Sequence, residues 1–371
     1  MKPRIIVSGV NLVEAGPLAV FQDALKVLAG EFAGRYEVIA LVHKTELFDI
    51  PGITFMQYPA VKQSWLRRVW FEYVQCYSIS KQLNASLWLA MHDMTPRVVA
   101  RVQAVYCHNP SPFRKLMLRE IVQDLRPALF TQFYGFLYSF RIRKNDFVIV
   151  QQQWLRVEFR RRYRKVRQII VAHPSPIDSR RQFVLGPLLP AGSYRFFYPA
   201  FPRAPKNFEV LLDACRLLQA RGITGFELSL TIDGTENAYS RAIRLRYRDL
   251  DCVQWKGAIA REQVEQEYGR TDCLVFPSLV ETWGMPITEF KVTRRPLLVA
   301  DLPYAHETVG EYDAVHFFPA KDALSLADAM QALLAGQLVL KGSRAVTLEQ
   351  PFAEGWLELF NILLNKLERQ P

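Results

Sequence analysis

The sequence predicts an α/β protein built from two doubly wound domains with parallel sheets. Short runs of β-branched and aliphatic residues alternate with longer segments of helical period in both halves of the chain, which is typical of parallel α/β structure. The 371 residues suffice for two domains of roughly 100–200 residues each. Four prolines and two glycines crowd into residues 174–193, so we expect the linker there. The predicted domains are 1–180 and 181–350, with a terminal helix in 351–371.

Each strand candidate is a short apolar run between polar or turn-forming residues. In the first half these runs are residues 4–8, 37–43, 53–57, 85–90, 102–107, 147–151 and 168–172. In the second half they are residues 194–198, 227–232, 252–255, 273–276, 297–300 and 315–318. Because helical segments separate most of them, we expect the strands of each half to run parallel.

Two helical segments show a clear apolar face. In the second half, apolar residues recur at helical spacing at Phe208, Leu211, Leu212, Cys215 and Leu218. Residues 354–367 show the same spacing at Trp356, Leu357, Phe360, Leu363 and Leu364. The first helix should pack on its sheet, and the terminal helix should pack back on the first domain. Two doubly wound sheets would face a central cleft with the carboxyl ends of their strands, where such sheets bind ligands.

Composition and targeting signals exclude several classes of protein. Half of the residues are hydrophobic and 22% are charged, so the chain is folded and not disordered. The five cysteines include no Cys-x-x-Cys pair, which excludes a disulfide framework and a zinc knuckle. The three aliphatic residues after Arg4 are too few for a signal peptide. The longest uncharged stretch, residues 127–140, is shorter than the roughly 20 residues that span a bilayer. We therefore expect a cytoplasmic protein.

The positive charge is concentrated in the first half of the chain. Residues 1–190 contain 27 basic and 13 acidic residues, a net charge of +14, whereas residues 191–371 carry a net charge of −3. A basic half suggests a polyanionic partner, and nucleic acid, anionic lipid headgroups or a pyrophosphate-bearing substrate all fit. Composition alone does not choose among them.

The most informative motif is PSLVETWGMPITEFKVTRRPLLVAD, residues 277–301. Glu281 is expected in the loop after strand 273–276, and Glu289 in the helix that follows. Gly284 and Pro286 suit a turn into a helix, whose free N–H groups attract phosphate or sugar hydroxyls. Two acids at this spacing also occur by chance on an ordinary surface helix.

The residues around the two acids resemble the signature of retaining glycosyltransferases with two Rossmann-like domains, the GT-B fold. In that family Pro-Ser, Glu, an aromatic residue, Gly, a hydrophobic residue, Pro and Glu recur in this order. The resemblance extends over LTIDG at 230–234, VQWKGAIAREQVEQEYGRTDCLVFPS at 253–278 and HETVGEYDAVHFFPAKD at 306–322. In the first half it is weaker and rests on SGVNLVEAGPLAVFQDAL and YCHNPSPF.

This resemblance implies roles for individual residues. Glu289 would accept hydrogen bonds from the donor ribose, and Glu281 would hold the donor sugar together with the backbone of Trp283, Gly284 and Met285. Lys206, in FPRAPKNFEVLL, matches the lysine that binds the donor diphosphate and stabilises the leaving group. Gly257, in the glycine loop of VQWKGAIA, would also lie at the donor.

Two departures from the family pattern affect the phosphate site. The family usually has an arginine five or six residues before the lysine, where this chain has Phe201 and Ala200, and Arg203 is the nearest substitute. Arg294 and Arg295 also stand where small residues usually precede the proline.

His108 and Gly16 are the candidates in the first half. His108 follows strand 102–107 directly and so lies at its carboxyl end, where the resemblance implies a catalytic contact with donor sugar or acceptor. A histidine in this position is also commonly a packed or capping residue. Gly16 would let the backbone approach a ligand at the start of the first helix. The other histidines show no ligand spacing.

No metal or other cofactor is expected. Asp249 and Asp251 form an Asp-x-Asp, but the pair precedes strand 252–255 and so lies away from the carboxyl ends of the strands. Lys206 and helix N-termini would neutralise the diphosphate instead.

The basic run at residues 156–167, RVEFRRRYRKVR, is expected to form a helix. It can be a solvated helix face, or Arg160, Arg161 and Arg164 can bind an anionic membrane or the acceptor. Nearby aromatic residues in SWLRRVWFEY at 64–73 and ALFTQFYGFLYSF at 128–140 could add apolar contacts, although the second stretch is expected to belong to the core. A lipid-linked or lipopolysaccharide acceptor explains the charge asymmetry best.

The sequence therefore predicts a retaining, metal-independent glycosyltransferase of polysaccharide or lipopolysaccharide biosynthesis. It would move a sugar from a nucleotide diphosphate donor to a saccharide or lipid-linked acceptor, as a peripheral protein at the inner face of the plasma membrane. The alternatives are a sugar-nucleotide epimerase of the same fold, a nucleic-acid-binding protein that uses the basic half, and an inactive partner with the same fold.

Overall fold

The computed structural model describes residues 2–13, 15–113, 133, 135–175, 186 and 194–369. It divides into two compact units. Unit 1 comprises Met1–Pro176 and Leu348–Pro371, and unit 2 comprises Ile177–Thr347. The predicted linker, 174–193, lies almost entirely outside the described residues.

Unit 1 contains an eight-stranded parallel sheet in the order β14-β7-β6-β5-β4-β1-β2-β3. Its strands are β1 Arg4–Ser8, β2 Glu37–Val42, β3 Ile53–Gln57, β4 Ala85–Ala90, β5 Val102–Cys107, β6 Phe147–Val150, β7 Ile169–His173 and β14 Phe352–Glu354. The order reverses between β1 and β4, which is the position where open parallel sheets bind ligands. Strand β14 pairs with β7 and was not predicted, because a three-residue strand shows no periodicity.

Helices cover both faces of this sheet. They are α1 Ala15–Val27, α2 Trp65–Trp70, α3 Cys76–Gln82, α4 Gln153–Arg162 and α11 Gly355–Glu368, with π-helical turns at Leu28–Phe32 and Phe71–Gln75. Short 3₁₀ turns lie at Thr45–Leu47, Pro59–Gln63, Ser111–Phe113 and Ile142–Lys144. Helix α11 packs within unit 1, where Trp356 lies 5.3 Å from Tyr106 and Phe360 lies 6.0 Å from Phe32 between ring centroids.

Unit 2 contains a six-stranded parallel sheet in the order β10-β9-β8-β11-β12-β13. Its strands are β8 Tyr194–Tyr198, β9 Phe226–Leu230, β10 Val253–Trp255, β11 Cys273–Phe276, β12 Leu297–Ala300 and β13 Val315–Phe318. Its helices are α5 Phe208–Ala220, α6 Ala238–Arg246, α7 Arg261–Arg270, α8 Met285–Lys291, α9 Pro303–Val309 and α10 Ala323–Leu334, with a 3₁₀ turn at Ala204–Lys206. The reversal here lies between β8 and β11, so their carboxyl ends meet at the centre of the edge.

The basic run differs from its prediction. The helix ends at Arg162, because Tyr163 turns into the core and is 8% exposed. Arg156 is also fully buried, and its guanidinium donates hydrogen bonds to the carbonyls of Glu349 and Pro351. Part of the run therefore holds the returning C-terminal segment in unit 1. Among the described residues, no helix combines the length and apolarity needed to cross a bilayer.

Candidate functional site

Lys206 and Glu281 are brought together at the carboxyl edge of the unit 2 sheet. Lys206 ends the 3₁₀ turn after β8, and Glu281 lies in the loop after β11. Lys206 Nζ lies 2.5 Å from Glu281 Oε1, and the two side chains are 25% and 14% exposed. Two residues 75 positions apart thus form a largely buried ion pair, because β8 and β11 are neighbours.

Hydrogen bonds between the two loops hold this ion pair in place. The Leu279 amide donates to the Pro205 carbonyl at 2.8 Å. The Asn207 side-chain amide donates to the carbonyls of Pro277, at 3.0 Å, and Ala320, at 2.7 Å. The backbone that carries Lys206 and Glu281 is therefore fixed before any ligand arrives.

Two buried tyrosines complete the surroundings of Glu281. Tyr198 donates to the Lys206 carbonyl at 2.8 Å and lies 2.9 Å from the Ser278 hydroxyl, and Tyr304 donates to the Ser278 carbonyl at 2.6 Å. Burial first, and the charge of Glu281 next, raise the pKa of both phenols well above the usual value. Both tyrosines therefore stay protonated and act only as neutral groups near Glu281.

Glu289 lies in α8 and is held by two side chains from α7. Its Oε1 accepts a hydrogen bond from Arg261 at 2.6 Å, and its Oε2 accepts one from the Tyr268 hydroxyl at 2.9 Å. Glu289 is 6% exposed, and burial together with its charge raises the pKa of Tyr268 well above the usual value. Arg261 and Tyr268 are not among the predicted site residues. Their spacing of seven residues, two helical turns, is the signal that places them on one face of α7.

The turn between Glu281 and Glu289 is tightly packed. Trp283 donates from Nε1 to the Thr288 hydroxyl at 2.8 Å, and its carbonyl accepts from the Thr308 hydroxyl. Gly284 has φ +99°, a conformation that favours glycine, and Met285 begins α8. The predicted glycine turn into the helix is therefore present.

Arg203 and Gly257 have local contacts. The Arg203 guanidinium lies 5.4 Å from the centroid of the Phe201 ring, at one of the two positions where the family usually has arginine. Gly257 has φ +69°, and a Cβ there would come within 2.8 Å of the Asp233 carboxylate. Packing against Asp233 therefore already requires glycine at position 257.

Arg295, a departure from the family pattern, has a structural explanation in unit 2. It is 8% exposed, and its guanidinium donates to the carbonyls of Gly269, Thr271 and Gly186 at 2.6–3.1 Å. This arginine thus connects the end of α7, at Gly269 and Thr271, and Gly186 to the segment that precedes β12.

His108 and Gly16 lie in unit 1. The His108 ring hydrogen bonds with the Met91 carbonyl, and its backbone amide donates to Asp93 at 2.7 Å. Gly16 is exposed, and a Cβ there would have no atom within 4 Å, so nothing in unit 1 requires glycine at that position. Their roles toward a ligand stay predictions.

A buried polar cluster lies where the strand order of unit 1 reverses. Arg68 Nε lies 2.8 Å from Glu72 Oε1, which lies 3.4 Å from His92 Nε2, and this nitrogen is 3.1 Å from the Ser8 hydroxyl. Burial raises the pKa of Glu72 to about 7, against the opposing charge of Arg68. Burial also holds the pKa of His92 well below its usual value. His92 is not among the predicted site residues, because the cluster joins segments that are distant in the chain.

Two of the three arginines predicted to bind a membrane have acidic partners. Arg160 lies 2.6 Å from Glu349, and Arg161 lies 2.6 Å from Glu158. Arg164 is exposed. In unit 2, Asp249 of the Asp-x-Asp pairs with Arg216 at 2.8 Å. Within the described part of the chain, no three His, Cys, Asp or Glu side chains are grouped so that they could hold a metal ion.

Comparison with known families finds a similarity in unit 2. Residues 195–336 match the family of glycosyl transferases group 1. This match covers the strands and loops that carry Lys206, Glu281 and Glu289, and it confirms the prediction of a glycosyltransferase. No curated protein matches the chain.

Solved structures with the same fold cover most of the chain. Sucrose-phosphate synthase from Thermosynechococcus elongatus is 17% identical over 91% of this chain and 90% of its own, with a TM-score of 0.64. WaaG, a glycosyltransferase involved in lipopolysaccharide biosynthesis, is 14% identical over 89% and 90%, with a TM-score of 0.63. Anabaena HepE, solved in complex with UDP-glucose, is 14% identical over 91% and 92%, also with a TM-score of 0.63. These similarities confirm the predicted GT-B fold of two Rossmann-like domains.

Proposed function

We propose that this glycosyltransferase moves a sugar from a nucleotide diphosphate donor to a saccharide or lipid-linked saccharide acceptor, with retention of anomeric configuration. The observation that carries the donor assignment is the Lys206–Glu281 ion pair on the segments after the two central strands of unit 2, with Glu289 in the following helix α8. The complex of HepE with UDP-glucose supports a donor of this class.

Lys206 binds the donor diphosphate in this proposal. In the free protein its charge is balanced by Glu281, and a quarter of its side chain remains exposed to an incoming anion. A diphosphate brings more negative charge than one carboxylate, so it competes for the ammonium group and receives it as charge develops on the leaving group. Lys206 thereby takes the part that a divalent cation plays elsewhere, and we propose transfer without a metal.

The two carboxylates bind different parts of the donor. Glu281 accepts hydrogen bonds from hydroxyls of the transferred sugar, beside the backbone of Trp283, Gly284 and Met285. Glu289 accepts from the ribose hydroxyls. Each carboxylate oxygen has two acceptor directions, so Arg261 and Tyr268 can orient Glu289 and still leave it able to accept from ribose.

Unit 1 supplies the acceptor side in this proposal. Its basic character fits an anionic, lipid-borne acceptor better than nucleic acid, because unit 2 contains the sugar-transferase domain. His108 and Gly16 would contact donor sugar or acceptor. Arg160, Arg161 and Arg164 would add attraction to the inner face of the plasma membrane, with the protein in the cytoplasm. Lipopolysaccharide or polysaccharide biosynthesis is the proposed setting, which the similarity to WaaG supports.

The test compares two ion pairs at opposite ends of the same two strands. Lys206→Met removes the pair at the carboxyl edge, whereas Arg195→Met removes the Arg195–Asp272 pair, 3.0 Å apart, at the amino edge. We expect Lys206→Met to weaken nucleoside diphosphate binding by about 10- to 150-fold, the effect of a lost charged hydrogen bond of about 1.5–3 kcal/mol. Arg195→Met should leave this affinity unchanged. Equal affinity in both variants would contradict the assignment, and NMR of the product's anomeric proton reports retention directly.

A further inference from the structure

Two neighbouring segments of unit 1 expose apolar side chains to solvent. One is α2 with the following turn Phe71–Gln75, and the other is the helical stretch 135–139 with its flanks. We call these side chains the aromatic patch: Trp65, Leu66, Val69, Trp70, Val74, Phe133, Phe136 and Phe140. Leu66 is 83% exposed, Phe136 61% and Trp70 59%. Ring contacts join the two segments, from Trp65 to Phe133 at 5.4 Å and from Tyr73 to Phe140 at 5.1 Å.

The helix that carries most of the patch has its polar and apolar faces reversed. Arg68 and Glu72 form a hydrogen-bonded pair that is buried in unit 1, whereas Leu66 and Trp70 are largely exposed. A surface helix ordinarily buries its apolar stripe and exposes its charges. Leu66 and Trp70 therefore remain largely exposed in folded unit 1, and clustered apolar side chains of this kind mark an interaction surface.

The patch has both projecting side chains and an apolar groove. Leu66, Val69, Trp70, Tyr73 and Val74 line a mostly apolar groove of about 650 Å³ beside the projecting side chains. The patch thus combines projecting side chains, which can enter the apolar layer of a membrane, with a groove that can bind an apolar group.

The exposed charges of the two segments that carry the patch have one sign. Lys62, Arg67, Arg143 and Lys144 are the exposed charged residues of stretches 59–75 and 135–144. The acid in these stretches, Glu72, is fully buried with Arg68. The surface is therefore complementary to an anionic partner.

The patch also continues into the basic run. The Tyr163 hydroxyl donates to the Gly135 carbonyl at 3.0 Å, so the stretch 135–139 packs against the end of α4. Arg164 and Lys165, which follow, are exposed. Cationic side chains thus border the patch on the side of α4 as well.

We propose that the aromatic patch docks unit 1 on an anionic lipid membrane, with Leu66 and Trp70 inserted at the interface and the surrounding lysines and arginines at the headgroups. Tryptophan and phenylalanine beside basic residues are the composition of interfacial membrane anchors. This inference deepens the proposed function, since it rests on a lipid-borne acceptor for its purpose. It differs from electrostatic attraction by Arg160, Arg161 and Arg164 alone, because apolar side chains also insert into the membrane interface.

The experiment uses the full chain and vesicles of phosphatidylglycerol and phosphatidylcholine in equal amounts. The variant Leu66→Glu/Trp70→Glu should reduce the vesicle-bound fraction at least about tenfold, because it removes apolar insertion and adds repulsion. Leu245→Glu is the matched control, since Leu245 is 65% exposed on α6 of unit 2. It should bind vesicles like the parent. Brominated lipid should quench tryptophan fluorescence of the parent, and less so in Trp70→Phe.

Vesicle binding at high salt distinguishes apolar insertion from purely electrostatic attraction. At ~1 M salt the Debye length is about 3 Å, so purely electrostatic binding is lost, whereas we expect part of the parent's binding to persist. Parent and double variant binding equally, or complete loss at high salt, would overturn the proposal. A parent that ignores vesicles but forms a dimer that the double variant disperses would assign the patch to a second copy instead. Nucleoside diphosphate affinity, measured on the same samples, reports on the proposed function independently.

Discussion

Replacing Lys206 by methionine should destabilise the protein as well as weaken nucleotide binding. The substitution leaves the Glu281 carboxylate, 14% exposed, without its cation 2.5 Å away. Breaking a fully buried pair costs about 3–5 kcal/mol, and partial access to water reduces this to about 2 kcal/mol here. For a domain of the size of unit 2, Ile177–Thr347, that is a fall of about 4–8 °C in its melting temperature. Differential scanning calorimetry of the full chain measures it.

The double variant Lys206→Met/Glu281→Gln tests whether the loss comes from the stranded charge. It should recover about 1–2 kcal/mol relative to the sum of the single variants, because the amide no longer needs a cation. Glu281→Gln alone should keep or improve affinity for the free nucleoside diphosphate, since it frees Lys206, while the rate of sugar transfer falls. Stability effects that add within about 0.5 kcal/mol would show that no stranded charge causes the loss, and lost nucleotide affinity in Glu281→Gln would show that Glu281 does not compete for Lys206.

Three further predictions concern ribose, metal and pH. Glu289→Gln should weaken nucleotide binding about tenfold or more, and Arg261→Met should do so less, because Tyr268 still orients the carboxylate; calorimetric titration that shows parental affinity in both would contradict this. Sugar transfer should persist in excess EDTA because Lys206 meets the diphosphate, and a loss restored by manganese or magnesium would show otherwise. Burial raises the pKa of Glu72 from 4.5 to about 7, so the folded state favours its protonated form and stability is lost as pH rises between these values. Glu72→Gln should flatten this fall, measured by urea unfolding at pH 5 and 7 against the parent, and an identical pH slope would disprove it.

Periodicity predicted most of the sheet because the central strands are buried on both faces. Runs such as 4–8, 85–90 and 273–276 are nearly continuous apolar stretches, and the structure has strands with those bounds. Strand β14 lacks such a run and forms only by pairing with β7. The basic run was interpreted as one helix because charge alone does not show that Tyr163 and Arg156 are buried.

The motif gave the candidate carboxylates, but not their partners. The pairing of Lys206 with Glu281 requires that β8 and β11 are neighbours in the sheet. The two strands are not consecutive in the chain, so the sequence does not show that they are adjacent. The hydrogen bonds from Arg261 and Tyr268 to Glu289 could not be predicted for a similar reason. They depend on the packing of α7 against α8, which the sequence does not show. The sequence shows a group of aromatic residues near position 70, but only the structure shows which of them are exposed.

The most direct test of the donor site is isothermal titration of the full chain, in excess EDTA, with a panel of nucleoside diphosphates and the corresponding monophosphates. Lys206 is assigned to the diphosphate, so we expect one nucleoside diphosphate to bind and its monophosphate to bind at least about tenfold more weakly. The same difference should disappear in Lys206→Met. Absence of binding by every diphosphate, or equal affinity for a diphosphate and its monophosphate in the parent protein, would show that Lys206 does not bind a donor diphosphate.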